Sequence, residues 1–323
     1  MLNFKKKSHL SVELNDYVLR GIIKKGPSAE QWEVVEVVLP PGVIAEDAIA
    51  DEMGLYEILK ENIQKLGGKN QSVRIFVPDS SVLLKTFDHP DEIESAKLQE
   101  FVQMELGRTI HLPFQDPLLD VYDPVPDDGQ ALLFAVPPEE VGKTIGVLQD
   151  VNLHPEVADI RALCSLRLLE QIQLIDEEKT YLIAEWSINE LSICIYTNGV
   201  VEFLRFQPVD TDITKWLAQH NEDGIDFEYA GDIQEYLVSL SDQVFELDRI
   251  LNFFKFSLHK GEKTVDEMIL LGDNPLLHQI ADIIEENIQL PVTVVDDGVI
   301  ASHYPKQFKA KHASLIGLAL KEV

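Results

Sequence analysis

What the chain lacks narrows its function first. Among 323 residues there are two cysteines, Cys164 and Cys194, each inside an apolar or amphipathic stretch. A secreted disulfide scaffold would carry several at regular spacings, so buried free thiols in a reducing compartment are expected. Basic residues are scarce: 27 Lys and Arg stand against 56 Asp and Glu, a formal net charge of −29. Such a surface repels phosphate backbones and anionic lipid, which argues against a nucleic-acid binder and against attachment to a membrane by charge. Two local basic patches, Lys5 to Lys7 with Lys24 and Lys25, and Lys306, Lys309 and Lys311, read as solvated ends of strands and loops. No run approaches the roughly 18 apolar residues of a membrane span. Ser8, His9, Ser11 and Glu13 interrupt what would be the apolar core of a signal peptide. A cytoplasmic protein that does not itself insert into the membrane is expected.

The common catalytic signatures are missing too. Gly142-Lys143-Thr144 resembles the end of a phosphate-binding P-loop, but the glycine required five residues earlier is Pro137, which has no N–H to offer a phosphate. There is no Cys-x-x-Cys and no His-Glu-x-x-His, and His154-Pro155-Glu156 lacks a downstream cysteine pair. Asp127-Asp128-Gly129 and Asp223-Gly224 lack the ligand spacing of a calcium loop and read as turns. No Gly-x-Ser-x-Gly elbow supports hydrolase chemistry. No metal site and no catalytic residue is expected.

What is present is a hydrophobic fraction of 45%, ample for two domains, laid out as alternating strands and helices of the α/β class. HLSVEL and YVLRGIIKK, joined at Asn15-Asp16, read as a β-hairpin followed by the strand WEVVEVVLP. A helix over Met53 to Leu66, stopped by Gly67-Gly68, precedes the short strand VRIFVP. Residues 82–160 read as a small α/β unit of their own, with a first helix from Asp91 to about Thr109 and a hairpin turn at Pro126 to Gly129. The opening pattern then recurs: YLIAEW, LSICIY and VVEFLRF form a second meander with an Asn198-Gly199 turn. A long amphipathic helix from about Asp232 to His259, the strand EMILLG, a helix across His278 to Asn287, the strand PVTVVD and a terminal helix complete the chain. The repeat at residues 10–39 and 181–206 predicts a duplication whose two hairpins face one cleft.

The order of these elements and several strings resemble the PilM family of actin-like proteins in type IV pilus assembly machines. The strings are SVELNDYVLR, FVQMELGRTIHLPFQDPLLDVYD, IAEWSINELSICIYTNGVVEFLRF, DRILNFFKFSLHKGEKTVDEMILLGDNPLLHQIADII and IGLALKE. The resemblance implies an actin-like (ribonuclease H-like) duplicated two-domain α/β fold with a small insert subdomain. It places domain I at residues 1–81, 161–180 and 305–323, the insert at 82–160, and domain II at 181–304 with 211–264 as its smaller part.

The family's nucleotide cleft would then be formed by Glu13, Asn15, Asp16, Glu185, Ser187, Gly272, Asp273 and Asn274. Here the chain departs from the pattern. Glu13 and Glu185 stand where the family has Asp, Asn15 and Ser187 stand where it has hairpin glycines, Arg20 replaces a later Lys, and Asp273-Asn274 follow Gly272 in place of glycine. Side chains and carboxylates occupy space a triphosphate needs. The expectation is a degenerate cleft with no cofactor, or at most ATP with Mg²⁺ held weakly, and no ATP hydrolysis. The resemblance also implies recruitment to the inner face of the cell membrane. The partner would be the cytoplasmic tail of a bitopic inner-membrane protein of the PilN type, in a groove between core and insert near Leu83 and Phe87. Other inner-membrane pilus proteins are implied as partners, and a homo-oligomer is compatible with the pattern. A GspL-type component of type II secretion, which normally continues into a transmembrane helix, and an actin-superfold ATPase or kinase are the alternatives.

Overall fold

The computed structural model describes residues 8–126 and 128–322. Lys5 to Lys7 and Asp127 lie outside the described residues. The chain opens with β1 (His9–Asn15), β2 (Val18–Lys24) and β3 (Trp32–Val38), then the two-residue strands β4 (Ile44–Ala45) and β5 (Ala48–Ile49), the helix α1 (Glu52–Asn62) and β6 (Ser72–Phe76). Next come β7 (Leu83–Asp88), α2 (Leu98–Glu105), β8 (Leu118–Tyr122), β9 (Gln130–Val136), α3 (Pro138–Asp150), β10 (His154–Asp159) and α4 (Arg161–Gln171). The second half runs β11 (Thr180–Trp186), β12 (Glu190–Thr197), β13 (Val200–Pro208), β14 (Trp216–Asn221), β15 (Gly224–Tyr229) and α5 (Ile233–Asn252), which passes into a π-helical turn at Phe253–Leu258. It closes with β16 (Glu267–Gly272), α6 (Leu277–Asn287), β17 (Val292–Val294), α7 (Asp297–Ala301) and α8 (Ala313–Leu320).

The two halves have the same topology. One sheet runs β3-β2-β1-β6-β10 and the other β13-β12-β11-β16-β17. In each, an antiparallel three-strand meander is extended by two parallel strands. Both faces of each sheet are covered: β11 reads as a near-continuous apolar run, whereas β1 alternates and buries its polar Ser11 and Glu13 as well. Helices α4 and α8 lie between the sheets, and their Leu168 and Ile316 share one core with Ile22 and Trp32 of the first sheet and Ile183 and Ile269 of the second. Their approach is close enough that a Cβ on Gly317 would lie 1.9 Å from the carbonyl oxygen of Cys164, so only glycine fits there. Both cysteines are buried free thiols.

The insert is smaller than its expected span of 82–160. Its sheet has the order β7-β9-β8 and its own core is built on Phe87, Leu98, Val102 and Leu133. β10 instead pairs in parallel with β6 in the first sheet, and Val141, Val147 and Leu148 of α3 pack into the first domain's core. The insert therefore ends near Val136. The expected helix from Asp91 to Thr109 contracts to α2: Ile93 and Leu106 still pack against the insert core, but the chain leaves the helix at Leu106 and Gly107 takes a φ of 75°. The fold also contains elements for which no strand or helix was expected: the hairpin β14–β15, the short strands β4 and β5, and α7.

Candidate functional site

The turns that join β1 to β2 and β11 to β12 meet tip to tip. Asn189 Nδ2 donates to Asp16 Oδ2 at 2.9 Å, and the backbone N–H of Ile188 donates to the Tyr17 hydroxyl at 3.3 Å. Tyr17 in turn donates to Asp273, its oxygen lying 2.7 and 2.8 Å from the two carboxylate oxygens at the end of β16. The duplicated hairpins thus face one cleft, and side chains cross it.

Two buried arginines fill the space between. Arg20 on β2 is 1% exposed; its Nη2 lies 2.7 Å from Asp273 Oδ2, its Nε 3.1 Å from Glu36 Oε1 on β3, and its Nη1 3.5 Å from Glu13 Oε2. Arg161, the first residue of α4, pairs with Glu13, with Asp79 at 2.9 Å and with Glu185 at 3.6 Å, and reaches Asn15 Oδ1 at 3.4 Å. Its guanidinium lies 4.7 Å from the centre of the Phe76 ring. Five carboxylates, Glu13, Glu36, Asp79, Glu185 and Asp273, converge on two cations that cannot deprotonate. Burial opposes the charge on Arg20, yet Asp273 and Glu13 raise its pKa above the ordinary value, so the cation is held by its partners.

The carboxylates do not share this benefit equally. Burial pushes the Glu185 carboxyl up to about 7 despite Arg161, because that guanidinium is divided among several acids. Burial and the nearby Asp79 raise Asp47 to about 7, and burial with Asp47 and Asp16 raises Glu190 well above the carboxylate range. Glu36 goes the other way. Burial opposes its charge, but the His312 hydrogen bond and the Arg20 and Lys311 cations bring it down to about 2.

The structure brings Glu13, Asn15, Glu185, Ser187, Gly272 and Asp273 to the walls of one space between the hairpins, whose free volume is about 10 Å³. That is the room of about one water. Asp16 stands at the hairpin tip, bound to Asn189, and Asn274 lies beneath the cleft as a structural bridge from Ser187 to the Tyr236 hydroxyl at 2.8 and 2.6 Å. Gly272 adopts a φ of +120°, and a Cβ there would lie 2.1 Å from the Trp186 carbonyl oxygen. A phosphate group does not fit this arrangement, and both arginines that could face one are already occupied by acids. The wider end of the cleft, about 560 Å³, is lined by Arg20, Phe227, Asp273, Asp296, Lys309 and Lys311 among others. Among the described residues no cluster of His, Cys, Asp and Glu could hold a metal ion.

The two expected groove residues separate. Leu83 is half-buried on β7, whereas Phe87 is buried in the insert core, 6.4 Å from the Phe101 ring centre. The sequence reading missed Arg161, Tyr17, Glu36, Asp79 and His312. For Arg161 there was a signal: a cation at a helix N-terminus opposes the helix dipole, so its charge has to be compensated elsewhere.

Two domains of like topology, opening on hairpins that meet across one cleft, define an actin-like fold. A family model described as type IV pilus assembly protein PilM matches residues 24–323, and the chain belongs to that family. Among solved structures, a PilM-PilN type IV pilus biogenesis complex aligns with a TM-score of 0.74 at 18% identity, over 97% of this chain and 97% of the other. A Bacteroides thetaiotaomicron protein with an actin-like ATPase fold aligns with a TM-score of 0.51 at 11% identity, covering 100% of both chains. MreB5 of Spiroplasma citri bound to ADP aligns with a TM-score of 0.53 at 9% identity, over 98% and 96%. No curated protein matches the sequence. Among the described residues no helix is long and apolar enough to cross a membrane.

Proposed function

We propose that this protein is a non-enzymatic cytoplasmic platform of a type IV pilus assembly machine that binds the short cytoplasmic tail of a PilN-type inner-membrane protein. The observation that carries the reading is the ion network across the cleft. Arg20, Arg161 and their acids perform with fixed side chains the domain bridging that a nucleotide and its metal provide in an actin-like ATPase. Family membership and the likeness to a PilM-PilN complex support the choice of partner. A crevice of about 40 Å³ between the first sheet and α3, lined by Leu14, Ile49, Phe76, Val77 and Thr144 with Asp47, Glu140 and Arg161 at its polar side, offers a seat for one anchoring side chain of such a tail. The strand β8 at the insert's edge, with Leu118 and Tyr122 exposed, is the other place where an extended peptide could add.

The test is fluorescence anisotropy of the labelled cytoplasmic segment of the PilN-type partner, titrated with the full chain and two variants. Thr144→Arg, which fills the crevice, is expected to weaken binding at least about tenfold. If only Leu118→Asp weakens binding, the tail pairs with the insert edge and not the crevice. If the wild type does not bind the segment, the platform reading fails.

A further inference from the structure

The long helix α5 buries one face against the second domain through Tyr236, Leu240, Val244, Leu247 and Ile250. Its opposite face carries Val238 and Phe245, 61% and 54% exposed, and the turn that follows it carries Phe253 and Phe256, also exposed. At about 100° per residue, Val238 and Phe245 lie within about 20° of each other on the helix surface. The π-helical turn Phe253–Leu258 directs most of its apolar side chains outward, and only Phe254 is buried in it. In so acidic a chain, a solvated outer helix face would be polar.

Charge on the helix is uneven along its length. Glu235 and Asp242 leave the N-terminal half acidic, whereas in or just beyond the C-terminal half Arg249 and Lys255 offset Glu246 and Asp248. Asp242 is exposed and makes no ion pair among the described residues, while Arg249 has only its neighbour Glu246 one turn away. A parallel copy of the helix would set the two acidic N-terminal halves together. An antiparallel copy in a single register pairs Asp242 with Arg249 of the second molecule, Val238 with Phe253, and Glu235 with the region of Lys255, and it places Phe245 beside the two-fold axis. All the pairs repeat by symmetry, as an isologous interface requires.

The geometry points to a second copy of this chain as the occupant: α5 pairs antiparallel with itself about a two-fold axis near Phe245. The contact is independent of the tail-binding reading. One helix pair covers less area than a standard stable interface, so a dissociation constant on the order of 10–100 μM is expected. Tethering several copies at one membrane site would raise their local concentration into that range.

Sedimentation equilibrium of the full chain at physiological ionic strength tests this, because the net charge of −29 on each copy needs screening. The wild type is expected to form a concentration-dependent dimer. Asp242→Arg and Arg249→Asp should each weaken it at least about tenfold, because each sets like charges face to face. The double variant Asp242→Arg/Arg249→Asp reverses both charges and should restore it to within about threefold of the wild type. Phe245→Asp should abolish it. All three positions are exposed, and circular dichroism of each variant checks that the fold is kept. A wild type that stays monomeric up to about 500 μM, well above the expected constant, overturns the proposal. So does a double variant as weak as the single ones.

Discussion

The guanidinium of Arg20 lies 2.7 Å from the carboxylate of Asp273, joining the second strand of the first domain to the loop that leaves β16 in the second. Both side chains are almost fully removed from solvent. The pair joins the two domains inside the cleft through side chains of the chain itself.

Asp273→Ala removes that partner and the acceptor for Tyr17 while leaving Arg20 buried. Breaking one side of a buried ion pair costs about 3–5 kcal/mol. Urea unfolding should show a loss in this range, whereas Lys25→Ala, which breaks an exposed pair with Glu33, should change stability by less than about 1 kcal/mol.

Gly272→Ala should be as severe. Its added Cβ would meet the Trp186 carbonyl oxygen at 2.1 Å, and its φ of +120° is a conformation that L side chains rarely adopt. Thermal unfolding of the purified variant, or its recovery only in insoluble form, checks this against Gly142→Ala, where nothing lies within 4 Å of the new Cβ and the helix should gain slightly.

Stability should fall as pH rises from about 4.5 to 7. The folded Glu185 carboxyl titrates near 7 and its unfolded counterpart near 4.5, so in this window the folded state binds more protons and loses stability with rising pH. Asp47, also near 7, adds to the same slope. Glu36, near 2, acts oppositely at lower pH: its contribution is present above about 4.5 and is lost as pH falls toward 2. Glu185→Gln should flatten the slope between pH 5 and 7 in urea unfolding, removing a contribution of about 2–3 kcal/mol. An unchanged slope would show that Glu185 is ionised throughout.

Calorimetric titration with ATP and Mg²⁺ should give no binding tighter than about 1 mM, since a phosphate would have to displace Asp273 or Glu13 from a buried arginine. Micromolar binding by the wild type, lost in Asn274→Ala, would restore a nucleotide role to the cleft.

Local pattern alone determined most of the elements. Asn15-Asp16 and Asn198-Gly199 announce two meanders of the same kind, and the burial of β11 follows from its apolar run Tyr181 to Ala184, whereas the burial of Ser11 and Glu13 on the alternating β1 left no such trace. The departures at Glu13, Asn15, Glu185 and Ser187 were legible because charge and volume are properties of the residue itself. Tertiary structure alone decided what those departures do. Arg161 meets Glu13 and Glu185 only after α4 packs between the two sheets, and Tyr17 meets Asp273 only when the halves close. The insert boundary had the same origin. His154-Pro155-Glu156-Val157 reads as a strand in either unit, and its pairing with β6 is a long-range choice made by the first domain's sheet edge. Periodicity records which face of an element is buried. It does not record against what, because hydrogen-bond and ion-pair partners distant in sequence leave no periodic trace.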